Sequence, residues 1–587
     1  MQFKQRKWGK IMKFMWQYLK KHHRYVFISL IGTLSKVFVM VALPTLLGEM
    51  IDNGLIVNDF DHAMKIGWWM LGIAFVGFIG RIINTYGSAH ATSRMTEDMR
   101  NDVYQKMTHF SHNEYKTFGV ASLTTRISTD AFVLLQFADQ ILRMGIMAPL
   151  MTISSIMMML RVNRDLLFIL VPALFLMVAV IYFLAKFLRP LSEKQQKNLD
   201  KINSIFRENI NGSRVIRSFT QEESRFNRFS GVNDLYKENS IKLFRTLGIT
   251  DPAFTFIIVS MIVIIVIYGS LQIEQGNMQV GILTAFIEYS FHALFSLLIL
   301  AQLFIMYPRA SVSARRLKEI MEVEPSIDSN KEGISETETT GEVEFKNVYF
   351  QYPDADEPVL KNISFKATKG ETVAFIGSTG SGKSTIIQLI PRLYDVTDGS
   401  ILIDGVDVRE YNLEALRRKI GYTPQQSLLF SGTIADNLRF GKDEAETADF
   451  DHAASISDAY EFIHRLEKKY HSDLVEGGTN FSGGQRQRLA IARAIINQPE
   501  IYIFDDSFSA LDFKTDAKVR NLISEETTEA ITFIVAQRVS SITNADQIIV
   551  LNEGEIVGTG THKELLASNE LYQEIARTQL SEEELYG

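Results

Sequence analysis

The stretch VAFIGSTGSGKST, residues 373–385, runs four apolar residues into a glycine-rich turn and then into a helix start. It has the spacing G-x-x-x-x-G-K-[ST] in the strand, loop and helix order that gives the spacing its meaning. Gly377, Gly380 and Gly382 allow backbone N–H groups to wrap phosphate oxygens, with the positive end of a helix dipole behind them. Lys383 brings a cation to the outer phosphates, and Ser384 offers a hydroxyl to magnesium. The candidate phosphate-binding run is therefore Gly377, Ser378, Thr379, Gly380, Ser381, Gly382, Lys383, Ser384 and Thr385.

A second piece lies more than 100 residues on, in IYIFDDSFSALD, residues 501–512. An apolar strand delivers Asp505 to its tip, where a carboxylate can share magnesium with Ser384. Two distant pieces of one phosphate site predict a soluble α/β P-loop domain that binds a nucleoside triphosphate. Asp506, directly after, is the unexpected residue.

Outward from this domain the composition changes in kind. The 587 residues are too many for one core. Six apolar runs, at approximately 25–50, 66–87, 137–160, 166–188, 252–272 and 280–306, are each long enough at roughly 20 residues to cross a bilayer. The first, with Lys36 inside it, does not read as a cleaved signal peptide. The expected organisation is an all-α transmembrane domain over 1–322, a polar linker over 323–341 and the nucleotide-binding domain over 342–587. A net charge of -7 disfavours nucleic acid as a partner, and the absence of cysteine excludes disulfides, thiol catalysis and Cys-based metal sites.

Residues 1–24 carry eight Lys or Arg and no acid, whereas 52–63 carry three Asp and no Lys or Arg. That asymmetry predicts a multi-pass protein with cytoplasmic N- and C-termini. Trp8, Met12, Met15 and Leu19 share a helical face, so the first segment is expected to lie along the inner leaflet. The long inward connections, about 88–136 and 189–251, are read as helical arms with tips near KTFGVASLTTR (116–126) and NINGSRVIRS (209–218). Ionisable residues within spans are Lys36, Glu49, Arg81, Asp139, Arg143, Glu288 and His292. Asp139 with Arg143, and Glu288 with His292, are spaced i, i+4 and are candidates either for the substrate cavity or for internal ion pairs.

With these pieces in place, the chain resembles the ATP-binding cassette (ABC) exporters along nearly all of its length. The resemblance rests on NFSGGQRQRLAIARAI (480–495), which matches the family signature with Phe481 for the usual Leu. It rests also on GYTPQQ with Gln425, on ALD with Asp512, on VYFQYP with Tyr352, and on LVEGG with Glu476. The family implies ATP and Mg2+ as cofactors, with Tyr352 stacked on adenine and Ser384, Gln425 and Asp505 around the metal. It also implies head-to-tail cassettes, so that Ser482, Gly483, Gly484, Gln485 and Asp512 act on the opposite site.

Two positions depart from the pattern. The family places Glu, which polarises the attacking water, where this chain has Asp506, and a switch His where it has Gln537. The shorter acid sits back from the phosphate, and a neutral amide cannot become a cation. The combination implies one subunit of a heterodimeric multidrug-type exporter in the cell membrane, with a degenerate site of its own. The expected partner is a homologous half-transporter with intact Glu and His and a degraded signature, and the expected substrate is a small amphipathic compound met within membrane lipid. A homodimeric lipid or peptide exporter with slow ATPase is the alternative in the same class. An ATP-gated channel or sensor is the alternative from another.

Overall fold

The computed structural model describes residues 13–580, save 328, 329, 331 and 339. The chain folds as two compact units, one of residues up to 108 with 121–323, and a second of 109–120 with 324 onward. The first unit holds six long apolar helices among the described residues: Lys13–Leu55, Phe60–Thr108, Val120–Val162, Leu167–Asn211, Glu222–Glu274 and Val280–Glu322. Each contains one of the expected spans and continues well beyond it, because the polar arms keep helical periodicity past the apolar stretch.

Small residues set how closely the first two helices meet. A Cβ on Gly32 would collide with the backbone of Asn84 and Gly80, and one on Gly87 with the backbone of Ser29. Elsewhere the unit packs Leu170, Met177, Met261, Ile265, Phe286 and Tyr289 into one apolar cluster. Met15 and Leu19 are buried in the protein, which corrects the expectation that their face lies on lipid. Trp8 and Met12 fall outside the described residues. The helix there runs on into the first span through a short tight turn, Lys20–His22.

The first arm tip is also corrected. A short helix spans His112–Phe118, ahead of the expected 116–126. Ser111 and Glu114 form a capping box that starts it, and Gly119, at φ 73°, stops it. The second tip falls where expected: the long helix ends at Asn211 and a short one follows at Ser213–Ser218.

The second unit is built on β-sheets. Strands β1 (Glu342–Phe350), β2 (Leu360–Thr368), β4 (Asp398–Ile403) and β5 (Val406–Asp407) form an antiparallel sheet ordered β2-β1-β4-β5. The larger sheet, ordered β12-β11-β3-β10-β9-β6, contains β3 (Thr372–Gly377), β6 (Ile420–Thr423), β9 (Ile501–Asp505), β10 (Ile531–Val535), β11 (Gln547–Asn552) and β12 (Glu555–Gly560). Its pairings are parallel except that of β12. A two-stranded ribbon, β7 (Gly432–Thr433) with β8 (Asp473–Leu474), stands apart. Strands β9 and β10 are buried at every position, as a parallel sheet covered on both faces requires. Phe345, Phe365, Phe375 and Phe533 pack together between the two larger sheets.

Because β3, β10 and β9 are parallel neighbours, their C-terminal ends open at one edge. That places Gly377, Gln537 and the pair Asp505–Asp506 around one crevice, where open α/β sheets hold ligands.

Candidate nucleotide site and intramembrane charges

The P-loop begins where β3 ends. Gly377 has φ 154° and Gly382 φ 98°, and a Cβ at either would strike Leu551 or Leu360. Gly382 also caps the helix Lys383–Leu389, leaving its first N–H groups facing the crevice. Lys383 Nζ donates to the carbonyls of Gly377 and Ser378 at 2.9 and 2.8 Å. Burial pushes its pKa down, against the pull of Asp506 and Asp505. Ser381 Oγ is buried without a hydrogen-bond partner. An unpaired hydroxyl beside a lysine and a helix N-terminus fits an oxyanion.

Ser384 Oγ donates to Asp505 Oδ1 at 2.8 Å. The carboxyl is 3 % exposed, and its pKa is raised first by burial and then by Asp506, against the Ser384 hydroxyl and Lys383. One hydroxyl and one carboxylate make a hard-oxygen pair that fits magnesium together with phosphate. Among the described residues no cluster of three His, Cys or acids could hold a metal without such a ligand.

Asp506 lies in the left-handed region, at φ 47°, which Asp tolerates better than most residues. Its N–H donates to the Val535 carbonyl at 2.9 Å, tying the end of β9 to that of β10. Its Oδ2 accepts from Gln537 Nε2 at 2.8 Å and from Gln425 Nε2 at 3.2 Å. Gln425, expected beside the metal pair, thus points its amide nitrogen at Asp506. The Asp506 pKa is raised by burial, opposed by the donors Gln425 and Ser509 and by the charges of Arg538 and Lys383. Sequence reasoning passed over Arg538 and Ser509. A cation directly after the switch position was the available signal for Arg538.

Tyr352 stands two residues past β1, its ring edge-on to Phe350 and Tyr394 and its hydroxyl 3.1 Å from Thr385 Oγ1. Lys116, from the short helix within the same unit, sits 5.4 Å from the ring centroid and pairs with Asp354 at 2.8 Å. The signature helix Gly483–Ile495 is capped by Ser482, which accepts from Gln485 N–H at 3.2 Å while Gln485 Oε1 accepts from Ser482 N–H at 2.9 Å. Ser482 and Gly483 are exposed, Gly484 is half-buried, and Phe481 packs into the apolar cluster beneath them. Asp512 caps the helix Phe513–Glu526 through Thr515 N–H at 3.1 Å, and that bond lowers its pKa. Glu476 is exposed on a short turn.

In the membrane-spanning unit, Arg143 Nε donates to Asp139 Oδ1 at 2.9 Å, so that pair meets. Glu288 is exposed, and it reaches the half-buried His292 through electrostatics rather than an ion pair. Glu49 lies 3.8 Å from His62.

The fold and site define a membrane protein with a fused nucleotide-binding domain. The family model of the ABC transporter transmembrane region matches residues 26–307, and the ABC transporter family model matches 360–509. An uncharacterized ABC transporter ATP-binding protein of Mycobacterium tuberculosis is 36% identical over 96% of this chain and 97% of its own. A putative multidrug export ATP-binding/permease protein of Bacillus subtilis is 30% identical over 96% and 98%. A bacterial Atm1-family ABC exporter solved with ATP bound superposes with TM-score 0.78 at 23% identity, over 96% of this chain and 99% of that one. The chain belongs to the ABC transporter family. It is an exporter-type half-transporter, a multi-pass transport ATPase with one transmembrane region and one ATP-binding domain.

Proposed function

We propose that this chain is one half of a heterodimeric exporter of amphipathic compounds, whose own P-loop site binds ATP with magnesium and turns it over slowly. The observation that carries the reading is Asp506, whose Oδ2 accepts from both Gln425 and Gln537. A carboxylate oxygen has two lone-pair sites, and here two amides take them. The side chain is also one methylene shorter than Glu, and misplacement of about 1 Å can cost on the order of 100-fold in rate.

In this reading Lys383, Ser381 and the loop N–H groups hold the phosphates and Tyr352 stacks on adenine. Ser384, Asp505 and Gln425 hold magnesium, which when bound neutralises charge on the β- and γ-phosphates. Gln537 hydrogen-bonds the γ-phosphate without adding charge. Ser482, Gly483, Gly484, Gln485 and Asp512 complete the opposite site, whose Glu and switch His belong to a homologous partner. The exposed Ser482 and Gly483 at a helix N-terminus support that use. An amphipathic compound enters between the spans from the cytoplasmic side, ATP draws the cassettes together, and the arm tips carry closure to the spans. The loop charges support cytoplasmic termini in the cell membrane, and the multidrug export name of the Bacillus subtilis relative supports drug-like cargo.

The test is to purify the chain alone and with a homologous half-transporter, and to measure ATPase activity. Weak activity alone and robust activity in the pair are expected. In the pair, Glu→Gln at the partner's base should abolish turnover and Asp506→Asn should change it little. A second reading, a homodimer in which Asp506 is a slow base, is favoured by its raised pKa, since a base works best when its pKa nears the operating pH. Activity of the chain alone that the homologous half-transporter does not raise, and that is lost in Asp506→Asn, would establish that reading instead.

A further inference from the structure

Within the spans, three basic side chains lie near one another, and one of them is paired with an acid. Lys36, midway along the helix His23–Glu49, donates from Nζ to Asn84 Oδ1 at 2.6 Å. Asn84 is fully buried, and its amide nitrogen donates to the Ser29 carbonyl, Ser29 Oγ and Thr33 Oγ1. Those bonds fix its carbonyl oxygen towards the lysine. About one turn to one side of Asn84 on the same helix stands the exposed Arg81, and to the other side Ser88, which donates to Asp139 Oδ1 at 2.5 Å. Arg143 shares that Asp139 oxygen, and Lys36 feels the charge of both Arg81 and Arg143. Arg143 lies in a π-helical turn, Ile141–Gly145, a distortion that is frequent at functional sites.

The charges do not balance. Among the described residues the one ion pair made by the three cations is that of Arg143 with Asp139. Of the other two acids expected within the spans, Glu49 lies 3.8 Å from His62 and Glu288 lies towards His292 on the sixth helix. Two positive charges are left over within the spans, where uncompensated charge is costly and marks a substrate path. Lys36 and Arg143 are half-exposed, and the exposed Phe78, Ile82 and Met144 stand beside the arginines.

We propose that Lys36, Arg81 and Arg143 form the head-group subsite of the transported molecule, which is an anionic amphiphile: an apolar tail bearing a phosphate or carboxylate. The inference rests on the export reading above and gives it a charge. Guanidinium forks match oxyanions in a bidentate manner, and the Lys36 ammonium, held by Asn84, adds a point charge. Asp139 orients Arg143 from behind and leaves the excess charge to the ligand.

The test titrates the full-length chain in phosphatidylcholine nanodiscs with dodecyl phosphate, dodecyltrimethylammonium, dodecyl maltoside and inorganic phosphate, against empty discs. Dodecyl phosphate should bind at least about tenfold tighter than the other three, the difference expected of charge-assisted hydrogen bonds. Arg81→Gln, at an exposed position that the fold tolerates, should reduce that preference, Lys36→Gln with Arg81→Gln should abolish it, and Lys36→Arg should keep it. Equal binding of the three dodecyl probes, or a preference that survives the double variant, overturns the anionic subsite and leaves export standing. Inorganic phosphate binding as tightly as dodecyl phosphate replaces the amphiphile with a free anion and overturns the proposal. Binding of no probe overturns the subsite, and the export reading then stands or falls on the ATPase test of the pair.

Discussion

The two sides of the nucleotide crevice differ in kind. On one, Ser384 and Asp505 are joined by a single bond, beside Lys383 and the unpaired Ser381 hydroxyl, all groups that suit a phosphate and a hard cation. On the other, Asp506 is closed upon by two amides that leave its Oδ2 no free lone pair. On the reading proposed above, binding and turnover rest on separate residues, so that one can lapse while the other stays whole and ATP serves as an adhesive at this site and as a fuel at the partner's.

The most damaging test of this contrast is Lys383→Ala, which should weaken ATP binding at this site by at least about 100-fold, read by nucleotide photolabelling of this chain. Unchanged labelling would mean that the binding side is not intact. Next in size, Asp506→Glu with Gln537→His should raise the ATPase activity of the chain alone by about 10- to 100-fold, restoring reach and charge together. No gain would place the defect elsewhere. Tyr352→Ala should weaken ATP by about tenfold, the worth of one stacked base, in an equilibrium titration.

A smaller effect follows from pH. Burial holds Asp505 protonated above its ordinary 3.8. The folded chain then binds more protons than the unfolded one in that window, so stability falls as pH rises from 3.8 through the raised value. Magnesium-dependent nucleotide binding needs the carboxylate and should rise over the same interval. Melting curves and nucleotide titrations across it should show both trends, and Asp505→Asn should flatten them. Smallest of all is Lys116→Met: its pair with Asp354 is exposed on both sides, so ATP affinity should scarcely move in the same titration.

Much of this was legible in the chain as written. The P-loop spacing requires glycine where φ is positive, and Gly382 at φ 98° is such a place. The spans were legible because a bilayer demands long apolar runs, and the breaks at the second tip because glycine and short polar residues interrupt a helix. Asn84 was missed, although a lone amide inside an apolar span was a visible signal. The first tip was misplaced because the capping box of Ser111 and Glu114, not the glycine after it, sets where that helix starts.

By itself the sequence determined which residues are present: a phosphate loop, six apolar runs, a signature with Phe481 for the usual Leu, and Asp506 where the family has Glu. Those follow from local chemistry, in which spacing and residue type are sufficient. Only the tertiary structure decided that Gln425 and Gln537, 81 and 31 residues from Asp506, donate to one of its oxygens. It alone also decided that Lys36 and Arg143, on different helices, act on each other. The parallel order of β3, β10 and β9 and the close approach of glycine-bearing helices make those meetings, and no spacing along the chain encodes them.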